Sequence, residues 1–286
     1  MEPELIADYA CETGEGPLWH PMERRLYWVD IPQGRMFRYD PATRQHEQCY
    51  QGDVVGGYTI QEDGALLLFM ARGVIKTWRD GVLTPVKEGI PGDQDTRFND
   101  VIADSAGRVF CGTMAIPGRD GRLYRLDHDG TLTTVIENVG VSNGMGFTPD
   151  LKHMYYTDTR AREISLFDYD QQTGEITNRR PFAHVADGGE GAPDGMTVDA
   201  EGYVWSARWG GSRLVRYAPD GRIDQEVFFP ALKVSSASFG GDDYRDLYVT
   251  TAGGHIKKSD GKHAGSLFRI RPAVGGVPHF LSRIGL

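Results

Sequence analysis

VGVSNGMGFTPDLKHMYYTD, Val139 to Asp158, supports two different folds. Within it, Gly140-Val141-Ser142-Asn143-Gly144 spells G-x-S-x-G, the sharp turn on which many hydrolases expose a nucleophilic serine between a strand and a helix. That reading needs a helix after the second glycine and alternating strands and helices elsewhere. Instead, MGFTPDLKHMYYTD reads as strand, turn and strand, with SNG a turn at its head.

The same grammar runs outward in both directions. RLYWVD (25–30), ALLLFM (65–70), RVFCGTM (108–114), HMYYTD (153–158), YVWSAR (203–208) and DLYVTT (246–251) are short, aromatic or β-branched, and follow Gly- or Asp-rich turns. A second kind of strand follows each: GRMFRYD, GVIKTWRD, GRLYRLD, EISLFDYD, SRLVRYAPDG and GSLFRIR. No stretch carries a sustained helical apolar stripe. A meander recurring every roughly 40 to 50 residues predicts an all-β fold, a six-bladed β-propeller of four-stranded antiparallel blades. The units fall near 15–53, 54–95, 96–140, 141–190, 191–232 and 233–281. One propeller then spans residues 1–286, with ELIADY (4–9) closing the last blade.

Composition narrows the partners. The chain has 286 residues, 37 glycines and a formal charge of −9. An acidic chain without a Lys/Arg stripe argues against nucleic acid. MEPELIADYA lacks the basic and apolar regions of a secretory signal, and ALLLFMA (65–71) is far too short to span a membrane. Cys11, Cys49 and Cys111 are odd in number and widely spaced, which predicts reduced thiols in a cytoplasmic protein. No H-E-x-x-H pair is present. No heptad or long apolar surface element announces an interface, so the expected state is a monomer or small homo-oligomer.

The strong strands also serve as rulers. Counting back about eleven residues from each reaches Glu15, Gly56 or Gly57, Asn99, Asn143, Asp194 and Ser236. Equivalent positions at the start of each blade's first strand converge on a propeller's central channel. Asn-Gly and Asp-Gly are common turn dipeptides, and a lone glutamate is usually an exposed loop acid. Matching phase in four repeats, however, predicts that Glu15, Asn99, Asn143 and Asp194 face one another as an oxygen-rich site for one divalent metal ion. Two carboxylates balance such a charge, and oxygen donors favour calcium, magnesium or manganese. Zinc and ferrous iron stay open.

GEGPLWH (14–20), RFNDV (97–101), GRVFCGTM (107–114), SNGMGFTPD (142–150), MYYTDT (154–159) and PDGMTVDAEGYVWSARWGG (193–211) together resemble the senescence marker protein, gluconolactonase and luciferin-regenerating enzyme family, which includes regucalcin and bacterial sugar lactonases. The resemblance covers nearly the whole chain. It implies a six-bladed propeller with a divalent ion over the channel, held by Glu15, Asn143 and Asp194. It assigns Arg97 and Asn99 to substrate, which moves Asn99 from the metal to the substrate or a water on the metal. The implied reaction is hydrolysis of a sugar lactone, such as a glucono-, xylono- or arabinonolactone, with Asp194 as general base.

Two departures stand out. Some members carry an acidic pair after GTM that reaches the sugar, whereas this chain has Ala115, Ile116, Pro117 and then GRDGR, so those members' preference does not transfer. The lysine-rich GGHIKKSDGKHAG (253–265) reads as a solvated hairpin. Trp209 and residues 116–122 are candidate rim elements. The competing functions are a serine hydrolase at Ser142, a metal-dependent aryl esterase or phosphotriesterase on the same fold, and a non-enzymatic binding platform.

Overall fold

Short runs of β-branched and aromatic residues broken by turn residues pair with their nearest neighbours in sequence, and the chain becomes six antiparallel meanders. In the computed structural model, which describes residues 1–285, blade one comprises Gly14–His20, Arg25–Asp30, Arg35–Asp40 and Gln45–Gln51. Blade two is Val55–Ile60, Leu66–Met70, Ile75–Arg79 and Val82–Lys87, and blade three is Phe98–Ala103, Val109–Thr113, Gly121–Leu126 and Leu132–Val139. Blade four runs Ser142–Phe147, His153–Asp158, Glu163–Tyr169 and Ile176–His184. Blade five runs Ala192–Val198, Val204–Trp209, Arg213–Tyr217 and Ile223–Phe228. Blade six contributes Lys233–Gly240, Asp246–Ala252 and Ser266–Ile270, and its outer strand is the N-terminal Glu4–Asp8, paired antiparallel to Ser266–Ile270. The six-bladed propeller expected from the repeat is the observed fold.

Each blade is apolar on both faces and packs on the next, so the core is a ring of inter-blade layers. Tyr27, Val29 and Met36 of blade one meet Tyr58, Leu68 and Trp78 of blade two, and Phe110 and Leu123 of blade three meet Phe147, Tyr156 and Tyr169 of blade four. Each such side chain contributes about 1.5–3 kcal/mol on burial. Buried acids also tie strands together within a blade: in blade five Asp199 accepts from Trp205 Nε1 at 3.0 Å and from Arg216 Nε and Nη2 at 2.9 and 2.6 Å.

Every innermost strand is interrupted by a register shift near its start: Glu15/Leu18, Val55/Gly57, Phe98/Val101, Ser142/Met145, Pro193/Met196 and Val234/Ser236. Such bulges kink a strand and re-aim its side chains. SNG is therefore not a turn leading into the blade. Ser142 begins the strand, and Asn143 and Gly144 form its bulge, because the glycine's bare backbone permits close approach to the neighbouring blade.

Below the bulges lies a channel of about 540 Å³, lined among others by Leu18, Val101, Phe147, Met196 and Ala237. Its far end is covered by the C-terminal segment, where Phe280 packs into the blade-four layer and His279 Nε2 lies 2.9 Å from Ser238 Oγ and 3.0 Å from the Phe239 carbonyl. The segment also bonds to the neighbouring blades two and three, through Ser282 N–H to Ile60 O at 2.8 Å and Arg283 N–H to Gly107 O at 2.8 Å.

The 253–265 segment departs from a plain hairpin. It forms a 3-10 turn, Gly254–Ile256, and a short helix, Lys257–Asp260. Its charges find partners that fold it back: Lys257 Nζ lies 2.6 Å from Asp8 and Lys233 Nζ 2.7 Å from Asp260. Among the described residues no helix is long and apolar enough to cross a membrane, and the three cysteines form no disulfide.

Candidate active site

A strand that started a blade without interruption would turn alternate side chains away from the axis. The bulges instead deliver a cluster of polar groups to one end of the channel. Glu15, Asn99, Asn143 and Asp194 are all buried, at 5, 7, 4 and 3% exposure, although polar residues of these types are usually solvated. Arg97 and Asp100 beside them are half-buried.

Hydrogen bonds join the strands at this point. Arg97 Nη1 donates to Asn99 Oδ1 at 2.6 Å and to the Phe98 carbonyl at 2.9 Å. Asn99 Nδ2 donates across the blade boundary to the Ser142 carbonyl at 2.8 Å and to Asn143 Oδ1 at 3.2 Å. Asn143 Nδ2 donates to Thr159 Oγ1 at 2.9 Å. Glu15 accepts from the Gly16 N–H at 3.1 Å, and the Gly16 carbonyl accepts from the buried Tyr58 hydroxyl at 2.7 Å.

The electrostatics are those of crowded, dry acids. Burial pushes the Glu15 carboxyl well above the usual range, and the neighbouring Asp194 and Asp100 charges push it further. Asp194 is raised by burial and by Asp100, against a lowering contribution from the Asn143 amide. Asp100 is pushed up to about 7 by burial, with Arg97 opposing. Burial lowers Arg97, and the three acid charges oppose it. Among the described residues no Lys or Arg nitrogen forms an ion pair with Glu15 or Asp194. Two buried carboxylates without a paired cation are unfavourable unless protonated or met by a positive ion.

Among the described residues no three His, Cys, Asp or Glu side chains are grouped as a metal cluster. A cation here therefore needs the Asn143 amide oxygen beside the Glu15 and Asp194 carboxylates, and that all-oxygen, doubly anionic set fits a hard divalent ion.

Ser142, the centre of the G-x-S-x-G match, is wholly buried and its Oγ has no hydrogen-bond partner. It packs under Gly112, where even a methyl group would overlap the hydroxyl. No base reaches it and no substrate can.

Asp100, Tyr58 and Thr159 escaped the sequence reading. Strand alternation places Asp100 on the face opposite Asn99, but the bulge between Phe98 and Val101 breaks that alternation, and Asp100 lines the channel. The D of RFND was the available signal. At the rim, Ala115 to Asp120 and Arg160 surround a pocket of about 550 Å³. Arg119 bonds Asp93 at 3.1 Å and also pairs with Asp95, and Arg160 pairs with Asp120. Trp209 is half-buried with Lys233 Nζ 5.3 Å above its ring.

Residues 13–253 match the model of the SMP-30/Gluconolactonase/LRE-like region. The chain is 48% identical to pentonolactonase XacC of Haloferax volcanii, with 98% of each covered, and 32% identical to regucalcin of Homo sapiens, covering 96% of this chain and 92% of that one. Among solved structures, a luciferin-regenerating enzyme superposes with a TM-score of 0.88 at 29% identity, over 99% of both chains. A calcium-binding protein, regucalcin from Agrobacterium tumefaciens, does so with a TM-score of 0.89 at 25% identity, over 98% of this chain and 97% of its own. With the fold and nearly the full length shared, this chain belongs to the SMP-30/gluconolactonase/LRE-like family.

Proposed function

We propose that the protein hydrolyses a sugar lactone to its aldonic acid in a metal-dependent reaction, with a pentonolactone or hexonolactone as substrate. The observation that carries this reading is the pair of buried acids, Glu15 and Asp194, converging with Asn143, Asn99 and Arg97 at one mouth of the channel. The likeness to a pentonolactonase supports the substrate class.

Glu15, Asn143 and Asp194 would hold the divalent ion, which when bound supplies charge balance for the two acids and Lewis-acid polarisation of the lactone carbonyl. Arg97 presents a planar fork of donors, and Asn99 a donor and an acceptor, to the sugar hydroxyls. A carboxylate has two oxygens, so Asp194 can serve as a ligand through one and is suited to take a proton from the attacking water with the other. Water's oxygen bonds the carbonyl carbon, the ring C–O bond breaks, and the proton held on Asp194 passes to the departing ring oxygen.

The test is initial-rate hydrolysis of pentonolactones and hexonolactones, with an aryl ester and a phosphotriester alongside, before and after chelation. Lactone turnover should disappear with the chelator and return with calcium, manganese or zinc. Asp194→Asn should stay folded and lose most turnover. Full activity after complete metal removal would overturn metal dependence, and faster turnover of the phosphotriester than of any lactone would overturn the substrate class.

A further inference from the structure

We propose that Thr159 is a positioning residue that, together with Asn99, holds the Asn143 side chain in place and so sets the affinity for a bound cation. The inference rests on the reading of Asn143 as a cation ligand.

An asparagine amide has two ends of nearly equal size and opposite chemistry, and only its hydrogen bonds distinguish them. Here the choice propagates from groups that have none. Arg97 can only donate, so the Asn99 atom 2.6 Å from its Nη1 is Oδ1. A backbone carbonyl can only accept, so the Asn99 atom 2.8 Å from Ser142 O is Nδ2. That nitrogen also reaches Asn143 at 3.2 Å, where it requires Oδ1. The Asn143 nitrogen is thereby turned toward Thr159 Oγ1, which accepts at 2.9 Å. Asn99 and Thr159 therefore grip the two ends of the amide from adjacent turns of the ring.

Thr159 is itself fixed. The side chain of Asp158 accepts from the N–H groups of Gly140 and Val141 at 2.9 and 3.1 Å and from that of Arg160 at 3.1 Å. One carboxylate thus binds the segment leading to Asn143 to the turn bearing Thr159. Blade one repeats the device two residues before Glu15, where Asp30 accepts from the Thr13 N–H at 3.0 Å. In blade four the hydroxyl adds control of the amide itself. Without that acceptor the amide nitrogen keeps only its interaction with Asp194, and the Asn143 side chain loses its anchor on the turn that follows Asp158.

Calorimetric titration of chelator-treated protein with calcium and with manganese tests this directly. Thr159→Val keeps the shape and removes the acceptor, and Thr159→Ser keeps the acceptor. Removing a partner that orients a metal ligand typically lowers affinity about 10–100-fold, and the valine variant should lie in that range. Thr159→Ser should return to within about threefold of the parent, a rescue that a merely structural role does not produce. Lactone turnover lost by the valine variant at low ion should recover at saturating ion, leaving kcat near the parent value. Thr159→Ala decides the matter should the valine variant fail to fold. Parent-like ion affinity in Thr159→Val together with loss of binding in Asn143→Ala would overturn the role of Thr159 and leave the ligand assignment intact. Parent-like affinity in Asn143→Ala would overturn both.

Discussion

Gly144→Ala isolates how closely the strands that bear Asn143 and Asp194 must approach. The backbone of Gly144 is not left-handed, so alanine meets no conformational objection, and the whole effect is one of space. A Cβ there would lie 2.6 Å from Met196 N, 2.7 Å from Asp194 O and 2.9 Å from Gly195 C. Ordinary contact begins at 3.4 Å, so the strands must part by about 0.8 Å (3.4 − 2.6). All three obstructing atoms are backbone, hence no rotamer change relieves them, and the displaced backbone is that of Asp194 itself. Overpacking of this kind lowers stability by about 1–3 kcal/mol, and a misplacement near 1 Å lowers catalysis by about 10²-fold. Urea unfolding and initial rates of aldonolactone opening measure the two effects. Gly189→Ala, whose added methyl has no heavy atom within 4 Å, should match the parent in both. A Gly144→Ala protein with parent kcat/KM and parent midpoint would refute the claim that these two strands set the site by contact.

Ser142→Ala removes a buried hydroxyl that has no partner, so turnover should stay within about twofold and stability within about 1 kcal/mol; a thousandfold loss of rate would restore the serine hydrolase. Asp199→Ala strips the Trp205 indole and the Arg216 guanidinium of a fully buried acceptor and should lower unfolding free energy by about 3 kcal/mol or more, whereas Asp224→Ala, an exposed partner of the same arginine, should lower it by less than about 1 kcal/mol. Equal effects in denaturant melts would contradict this ranking. Asp100 is raised from 3.8 to about 7 by burial, so the folded state binds a proton that the unfolded chain releases. The stability it contributes is complete below about pH 4 and is lost as pH rises through about 7. In chelator-treated protein, stability of the parent relative to Asp100→Asn should therefore decline from pH 4 to 8, and a flat difference across melts at these pH values would exclude the buried-acid assignment.

Much of this protein is readable without coordinates because the repeat is local. Each blade is a meander of sequence neighbours, so turn residues and short apolar runs determine which strands pair, and six units of one period determine the ring. Phase within the repeat was enough to nominate Glu15, Asn99, Asn143 and Asp194, since equivalent positions in a closed ring share one end of one channel. The rest depends on distances between blades that no local pattern encodes. The SNG segment reads as a turn from its dipeptide chemistry, but packing against Asp194 and Met196 draws it into a bulged strand. Asp100 looks outward by alternation and faces inward because that bulge consumes a residue of register. The lysine-rich segment folds back as a helical turn because Asp8, 249 positions away, offers Lys257 a carboxylate. Ser142 carries a nucleophile's signature, and only the closure of blade four on Gly112 shows its hydroxyl to be sealed. Sequence by itself determined the propeller and the phase of its polar residues, because both are periodic properties of neighbouring residues. Tertiary structure alone decided which atoms face the channel, how acidic they are and what holds them there, because bulges, burial and cross-blade hydrogen bonds exist only once the ring has closed.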